Sequence, residues 1–107
     1  MLGKVVTVTV DRPMGTYHPN HPDMIYPINY GYIKGIMALD GEEQDAYILG
    51  ISEPLEEFKG KIIAIIHRND DVEDKWVVAP ENMMILLEEI VDKTHFQEQY
   101  FDSYIEM

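Results

Sequence analysis

The sequence predicts a mainly β domain of the α+β class: a small barrel of five or six short strands with one C-terminal helix packed on it. Three observations carry this expectation. Apolar residues alternate with period two at the N-terminus. Short apolar runs then recur through the middle of the chain, separated by turns rich in Gly, Pro and Asp. The period becomes helical only after Pro80. Short strands that must hide both an inner face and their edges do so by closing on themselves, with helix covering what remains.

The first strand spans Lys4 to Val10, where Val6, Val8 and Val10 alternate with Thr7 and Thr9. Asp11-Arg12-Pro13-Met14-Gly15 ends it. His18-Pro19-Asn20-His21-Pro22-Asp23 reads as an ordered loop, because each proline pushes its predecessor to extended backbone. Tyr26 to Ile33 is extended and aromatic-rich, and Gly35 and Gly41 punctuate the path that follows. Ala46 to Ile51 is a buried strand, and Ser52 to Gly60 a connection. Lys61 to His67, with four isoleucines, and Lys75 to Ala79 are two more strands. Leu86, Leu87, Ile90 and Val91 recur at helical spacing, with Phe96 and Tyr100 four apart, which predicts one amphipathic helix over roughly 85–103. No repeat, linker or low-complexity segment interrupts the 107 residues, so a single domain over 1–107 is expected.

Composition restricts partners. Twenty acidic residues against eight basic ones give a net charge of −12. Nucleic acid requires a basic footprint, so no nucleic-acid partner is expected, and anionic membranes are repelled as well. The longest apolar runs are too short to span a bilayer. The N-terminus runs straight into alternating Val and Thr, without the apolar core of a signal peptide, so a cytoplasmic location is expected. The absence of cysteine excludes disulfides and thiolate metal sites. A small anionic phosphate substrate would be repelled too, unless divalent cations bound first.

Eight of the twenty acids fall in two clusters, Asp40-Gly41-Glu42-Glu43-Gln44-Asp45 and Asp70-Asp71-Val72-Glu73-Asp74. Both adjoin strand-like runs. Crowded carboxylates repel unless a cation neutralises them, and oxygen ligands suit Mg²⁺ or Mn²⁺. On extended backbone Asp40 and Glu42 share a face, and Asp45 converges from the start of the next strand. The plain alternative is a solvated turn, since Asp, Gly and Glu are ordinary turn residues. The second cluster alone reads as a charged turn between strands, yet two such turns can meet at one rim of a barrel. Lys75 then opens a strand toward that rim as a phosphate ligand. Arg12 suits a bidentate phosphate clamp, or a surface ion pair with Asp11 or Asp23. Tyr26, Tyr30 and Tyr32 either donate to phosphate or fill the barrel wall. His18 and His21 lack a third ligand and read as loop structure. No nucleophilic serine motif, P-loop or dinucleotide fingerprint is present.

These residues also resemble a known family. Tyr26-Pro-Ile-Asn-Tyr30-Gly-Tyr-Ile followed by Asp40-Gly-Glu42-Glu-Gln-Asp45 is similar to the core of the soluble (family I) inorganic pyrophosphatases, with the same ten-residue step from Tyr30 to Asp40. Val10-Asp11-Arg12 resembles the family strand that ends in a substrate-binding arginine. Asp74-Lys75-Trp-Val-Val-Ala-Pro80 is similar to its second metal segment, and Phe96-Gln-Glu-Gln-Tyr100 to the helix that supplies a phosphate-binding tyrosine. The resemblance runs in order from about residue 8 to residue 102. It implies a five-stranded OB-type barrel with helices. It also implies Mg²⁺-dependent hydrolysis of pyrophosphate to two phosphates, with Mn²⁺ an alternative ion, and assembly into a homo-oligomer.

Carried over by position, Asp40, Glu42 and Asp45 would bind metal, together with Asp70 or Asp71 and with Asp74. Glu42 would stand where an aspartate helps activate water. Arg12, Tyr26, Tyr30, Lys75 and Tyr100 would hold phosphate, so Glu42, Asp45 and Lys75 form the implied catalytic set. Departures are visible. Glu42 and Glu43 stand where the family has Asp and Pro, and Phe101 where it has Lys. The family's N-terminal segment, with a glutamate and a phosphate-binding lysine, has no counterpart. Two other readings therefore remain open: a phosphate- or metal-binding module with little or no turnover, and a hydrolase of another phosphoanhydride or phosphoester.

Overall fold

Alternating burial along each strand builds the molecule. The computed structural model describes residues 1–107. Its elements run β1 (Val5–Arg12), β2 (Tyr17–His18), β3 (His21–Ile25), β4 (Asn29–Met37), β5 (Glu43–Ile48), β6 (Glu57–Arg68), β7 (Lys75–Ala79), α1 (Leu87–Glu98) and β8 (Ser103–Glu106). Five strands pair in the order β1-β4-β5-β7-β6, and β6 returns to β1, closing the barrel. Only β5 and β7 run parallel. The expected OB-like barrel with a C-terminal helix is therefore present.

Closure needs backbones to come very close at one place. A Cβ on Gly31 would lie 1.9 Å from the Thr9 carbonyl oxygen, so only glycine fits where β4 crosses β1. β6 reaches two neighbours in succession, β1 through its first residues and β7 through its later ones. The interior takes Val6 and Val8 of β1, Ile33 of β4, Ala46 and Ile48 of β5, Ile62 of β6, and Trp76 and Val78 of β7. A second core lies on the opposite face of the wall, beneath α1. It joins Tyr47, Ala64, Ile66 and Val77 to Ile90, with Phe96 packed against them.

That second face positions the site. Asp45 lies two residues before Tyr47, Lys75 two before Val77, and Arg68 two after Ile66. Period two therefore aims all three toward the α1 side and not into the barrel.

Several elements differ from expectation. The helix ends at Glu98, not near residue 103, and Ser103–Glu106 forms β8. The cause is tertiary: β1 stops at Lys61 along β6, which leaves the edge of Ile65 to Arg68 free, and β8 covers it. Of the predicted apolar stripe only Ile90 is buried, while Leu86, Leu87 and Val91 are exposed. The loop after Gly15 is a short hairpin of β2 and β3, with Tyr17 opposite Ile25 and His18 opposite His21. Strand bounds also move: the second barrel strand starts at Asn29, β5 spans 43–48, and β6 begins at Glu57, inside the expected connection.

Candidate functional site

Three strand ends meet at one mouth. The Lys75 ammonium, at the start of β7, donates to Asp45 Oδ2 on β5 at 2.6 Å and to the Tyr30 hydroxyl on β4 at 3.0 Å. It also donates to Glu73. Its side chain is only 4% exposed, so all three of its donors are spent inside the protein. Arg12 ends β1 opposite Tyr30 in the ladder, with its side chain about a third exposed at 36%. Gln44 ties the two acidic turns together, donating through Nε2 to the Asp74 carbonyl at 2.8 Å.

A second network lies beside the first. Arg68 grips Glu98 of α1 with two hydrogen bonds, Nε to Oε1 at 3.0 Å and Nη2 to Oε2 at 2.6 Å. Its Nη1 reaches Asp71 at 3.3 Å, and the guanidinium lies 3.7 Å from the Phe101 ring centroid. The Tyr47 hydroxyl donates to Glu98 at 2.6 Å and accepts from Gln97 at 2.8 Å. Burial alone would lower the Arg68 pKa, but the hydrogen bonds and charge of Glu98 outweigh it and hold the guanidinium firmly protonated.

A cavity of about 830 Å³ opens between this wall, α1 and the β2–β3 hairpin. Of the residues singled out from sequence, it brings together Arg12, Tyr26, Tyr30, Asp45, Lys75, Asp71 and Tyr100. An adjoining recess of about 360 Å³ takes Asp40, Glu42 and Asp45. Asp11, Asp45 and Glu73 border both spaces. Gly41, at φ +86°, makes the turn that sets Asp40 and Glu42 on the recess, and Asp40 Oδ1 accepts the Glu42 N–H at 3.0 Å. Two predicted residues lie apart. Asp70 accepts the Asp102 N–H at 3.1 Å, and Asp74 faces His67 Nδ1 at 3.2 Å.

Electrostatics at this border reflect burial first and the neighbouring Asp45 charge second. Glu73 is raised above the usual carboxylate value by burial; Lys75 opposes this and Asp45 reinforces it. Asp11 is raised by burial, countered by Arg12 and aided by Asp45. Tyr30 is pushed well above the ordinary phenol value, first by burial and then by the Asp45 charge. Near the mouth His18 is lowered by burial and by the neighbouring His21 and Arg12.

Comparison with known proteins settles the lineage. The family model described as inorganic pyrophosphatase matches residues 4–106. The chain belongs to the inorganic pyrophosphatase family. No match is found among curated protein sequences. Solved structures share the fold at low identity. The inorganic pyrophosphatase of Ehrlichia chaffeensis superposes with a TM-score of 0.74 at 15% identity, over 99% of this chain and 87% of that one. That of Coxiella burnetii gives 0.67 at 16%, over 99% and 84%. That of Neisseria gonorrhoeae gives 0.64 at 19%, over 92% and 74%.

Pyrophosphatase-family membership implies a divalent metal, and the donor chemistry of the recess fits one. Its polar side chains are carboxylates and the Tyr32 phenol, the hard oxygen ligands that Mg²⁺ and Mn²⁺ take. No three carboxylates converge on a single point in the structure. Sequence reasoning passed over two residues here. Glu73, and not Asp74, shares the face of Lys75, as the parity of residues 73 and 75 indicates. Arg68 carried no motif, but its even step from Ile66 places it on the same face.

Proposed function

We propose that the chain hydrolyses inorganic pyrophosphate to two phosphates with bound Mg²⁺, or Mn²⁺. The observation that carries this reading is the meeting of Lys75, Asp45, Tyr30 and Arg12 at one cavity of a pyrophosphatase-family barrel. Asp40, Glu42 and Asp45 would hold the ion, with Asp70, Asp71 and Asp74 the further candidates carried over from the second acidic segment and Glu73 bordering the same recess. Such an ion supplies charge neutralisation for the phosphates and a more acidic bound water.

The chain's own residues do the rest. Arg12 and Tyr100, at the open end of the cavity, take one phosphoryl group. Tyr26 and Tyr30 donate from the wall. Glu42 accepts a proton from the attacking water, the P–O bond to the bridging oxygen breaks, and the second phosphate leaves. Lys75 must loosen from Asp45 to donate to a phosphate oxygen, and Asp45 would be the carboxylate shared between the lysine and the ion. The decisive assay is phosphate release from pyrophosphate with and without Mg²⁺ or Mn²⁺, for wild type and Asp45→Asn. Metal-dependent release lost in the variant is expected; equal background in both, with every metal, overturns the reading.

One observation favours a second reading, a phosphate- and metal-binding module without turnover. Lys75 already holds Asp45 and Glu73 in place of an external cation. Calorimetry that detects metal and phosphate binding without hydrolysis would select it. A homo-oligomer is also proposed. Exposed Met84, Leu86, Leu87 and Val91, on and just before α1, form an apolar surface that supports it, and elution only at the monomer volume would count against it. No helix is long and apolar enough to cross a membrane. A cytoplasmic location is proposed from the cysteine-free composition, and the absence of nucleic-acid and membrane partners from the −12 charge.

A further inference from the structure

The four carboxylates between residues 70 and 74 are all engaged by this chain's own groups. Asp70 accepts the Asp102 N–H at 3.1 Å. Asp71 accepts the Val72 N–H at 2.7 Å through Oδ1 and Arg68 Nη1 at 3.3 Å through Oδ2. Glu73 is held by Lys75, and Asp74 Oδ2 lies 3.2 Å from His67 Nδ1. In the first acidic cluster only Asp45 has an ion-pair partner, Lys75 at 2.6 Å. Asp40 and Glu42 are exposed and have no basic side chain within ion-pair distance.

Arg68 is what changes the second cluster. Its side chain is 3% exposed and lines the same cavity as Lys75. Glu98 fixes it from one side by a bidentate pair, Asp71 bonds a third N–H, and the Phe101 ring covers the guanidinium. A guanidinium cannot lose its charge at any working pH, and its planar fork is already matched to Glu98. Glu98 and Asp71 are thus both committed to a fixed organic cation. One N–H on each terminal nitrogen is left over.

We propose that Arg68 serves as a built-in second cation of the site, so that the chain binds a single divalent ion, in the recess of Asp40, Glu42 and Asp45. The proposal rests on the metal-dependent phosphate reading above. In it, Asp71 is a mask on Arg68 and not a metal ligand. Removing the Asp71 charge leaves the ion in place and makes the cavity more attractive to phosphate.

The test is titration of the full chain with Mn²⁺, followed by electron paramagnetic resonance of the free ion, and then with inorganic phosphate at saturating Mn²⁺. One Mn²⁺ per chain is expected in wild type and none in Asp45→Asn. In Asp71→Asn, Mn²⁺ affinity stays within about twofold, while phosphate binds roughly threefold to tenfold tighter, a gain that shrinks with added salt. Asp71 is partly exposed on a turn, which makes this a mild substitution; should the variant fail to fold, the wild-type stoichiometry decides alone. Two or more ions per chain, no ion at all, weaker Mn²⁺ or phosphate binding in Asp71→Asn, or phosphate affinity unchanged in that variant would each overturn the proposal. Pyrophosphate hydrolysis with two ions bound would overturn it while leaving the proposed function intact. One ion bound without hydrolysis would do the reverse.

Discussion

Replacing Lys75 with methionine keeps the apolar stem and removes only the ammonium. In the wild type that group donates to Asp45 at 2.6 Å, to Tyr30 at 3.0 Å and to Glu73. Breaking a fully buried ion pair costs about 3–5 kcal/mol, because the remaining charge is stranded. Here the stranded carboxylates keep access to water, Asp45 at 31% and Glu73 at 25% side-chain exposure, so about 2–3 kcal/mol is expected. For a domain of this size each kcal/mol moves Tm by about 4 °C, giving a fall of roughly 8–12 °C. Divalent metal should narrow the difference. In the wild type an ion competes with the ammonium for Asp45 and Glu73; in the variant it does not. Free Mn²⁺ at about 100 times its Kd adds about 2.7 kcal/mol to a protein that binds it only when folded. Calorimetric unfolding of both proteins, in chelator and in Mn²⁺, is the assay. Lys75→Met should melt lower in chelator and gain more from Mn²⁺ than wild type does. An unchanged Tm in chelator, or equal gains from Mn²⁺, would refute the idea that Lys75 occupies the cation position between these acids.

Three further outcomes follow from the same geometry. Gly31→Ala places a Cβ 1.9 Å from the Thr9 carbonyl oxygen, so β4 must move off β1, and a loss of about 3 kcal/mol or more is expected in chemical denaturation. Asn29→Ala orphans three partners: the Met14 N–H at 2.9 Å, the Leu55 N–H at 3.0 Å and the Glu53 carbonyl at 2.9 Å. It should cost about 3 kcal/mol by the same measurement. His18 is lowered below 6.5 by burial and by His21 and Arg12. Its neutral form therefore favours folding above that value, and this contribution is lost as pH falls through the lower folded pKa. Phosphate bound at Arg12 offsets the repulsion, so the imidazole pKa followed by NMR should rise on adding phosphate; no change would place the anion elsewhere.

Period two was legible because each barrel strand buries one face, and Lys75–Ala79 fell on its predicted bounds for that reason. The same parity carries Tyr30, Asp45 and Lys75 to one side of the wall. β8 was not legible, because nothing in Ser103–Glu106 signals a strand until the free edge of β6 is known. Leu87 and Val91 misled the helix reading, since helical spacing identifies an apolar stripe but not which stripe docks. The Arg68–Glu98 pair spans thirty residues and depends on α1 lying over the end of β6. Asp71 and Asp74 look equivalent to Glu73 as acids in a turn. Only the direction of Lys75, toward the α1 side of the wall, separates them, and that direction is a property of the closed sheet.

The distribution of charge gives the site an order of events. Three of the eight basic residues, Arg12, Arg68 and Lys75, line the large cavity, and each already faces a carboxylate of its own chain. An anion approaching first therefore meets cations that are spoken for and a net charge of −12 behind them. The acidic recess beside the cavity has the opposite character: its exposed carboxylates Asp40 and Glu42 attract a divalent cation without displacing anything. Were a cation to draw on Asp45 as well, the Lys75 ammonium would lose one of its three partners and could turn to phosphate. Metal and phosphate would then strengthen each other's binding through Lys75, and linkage requires the coupling to be reciprocal. The buried lysine, which looks at first like a structural ion pair, would then be the group that couples bound metal to bound phosphate.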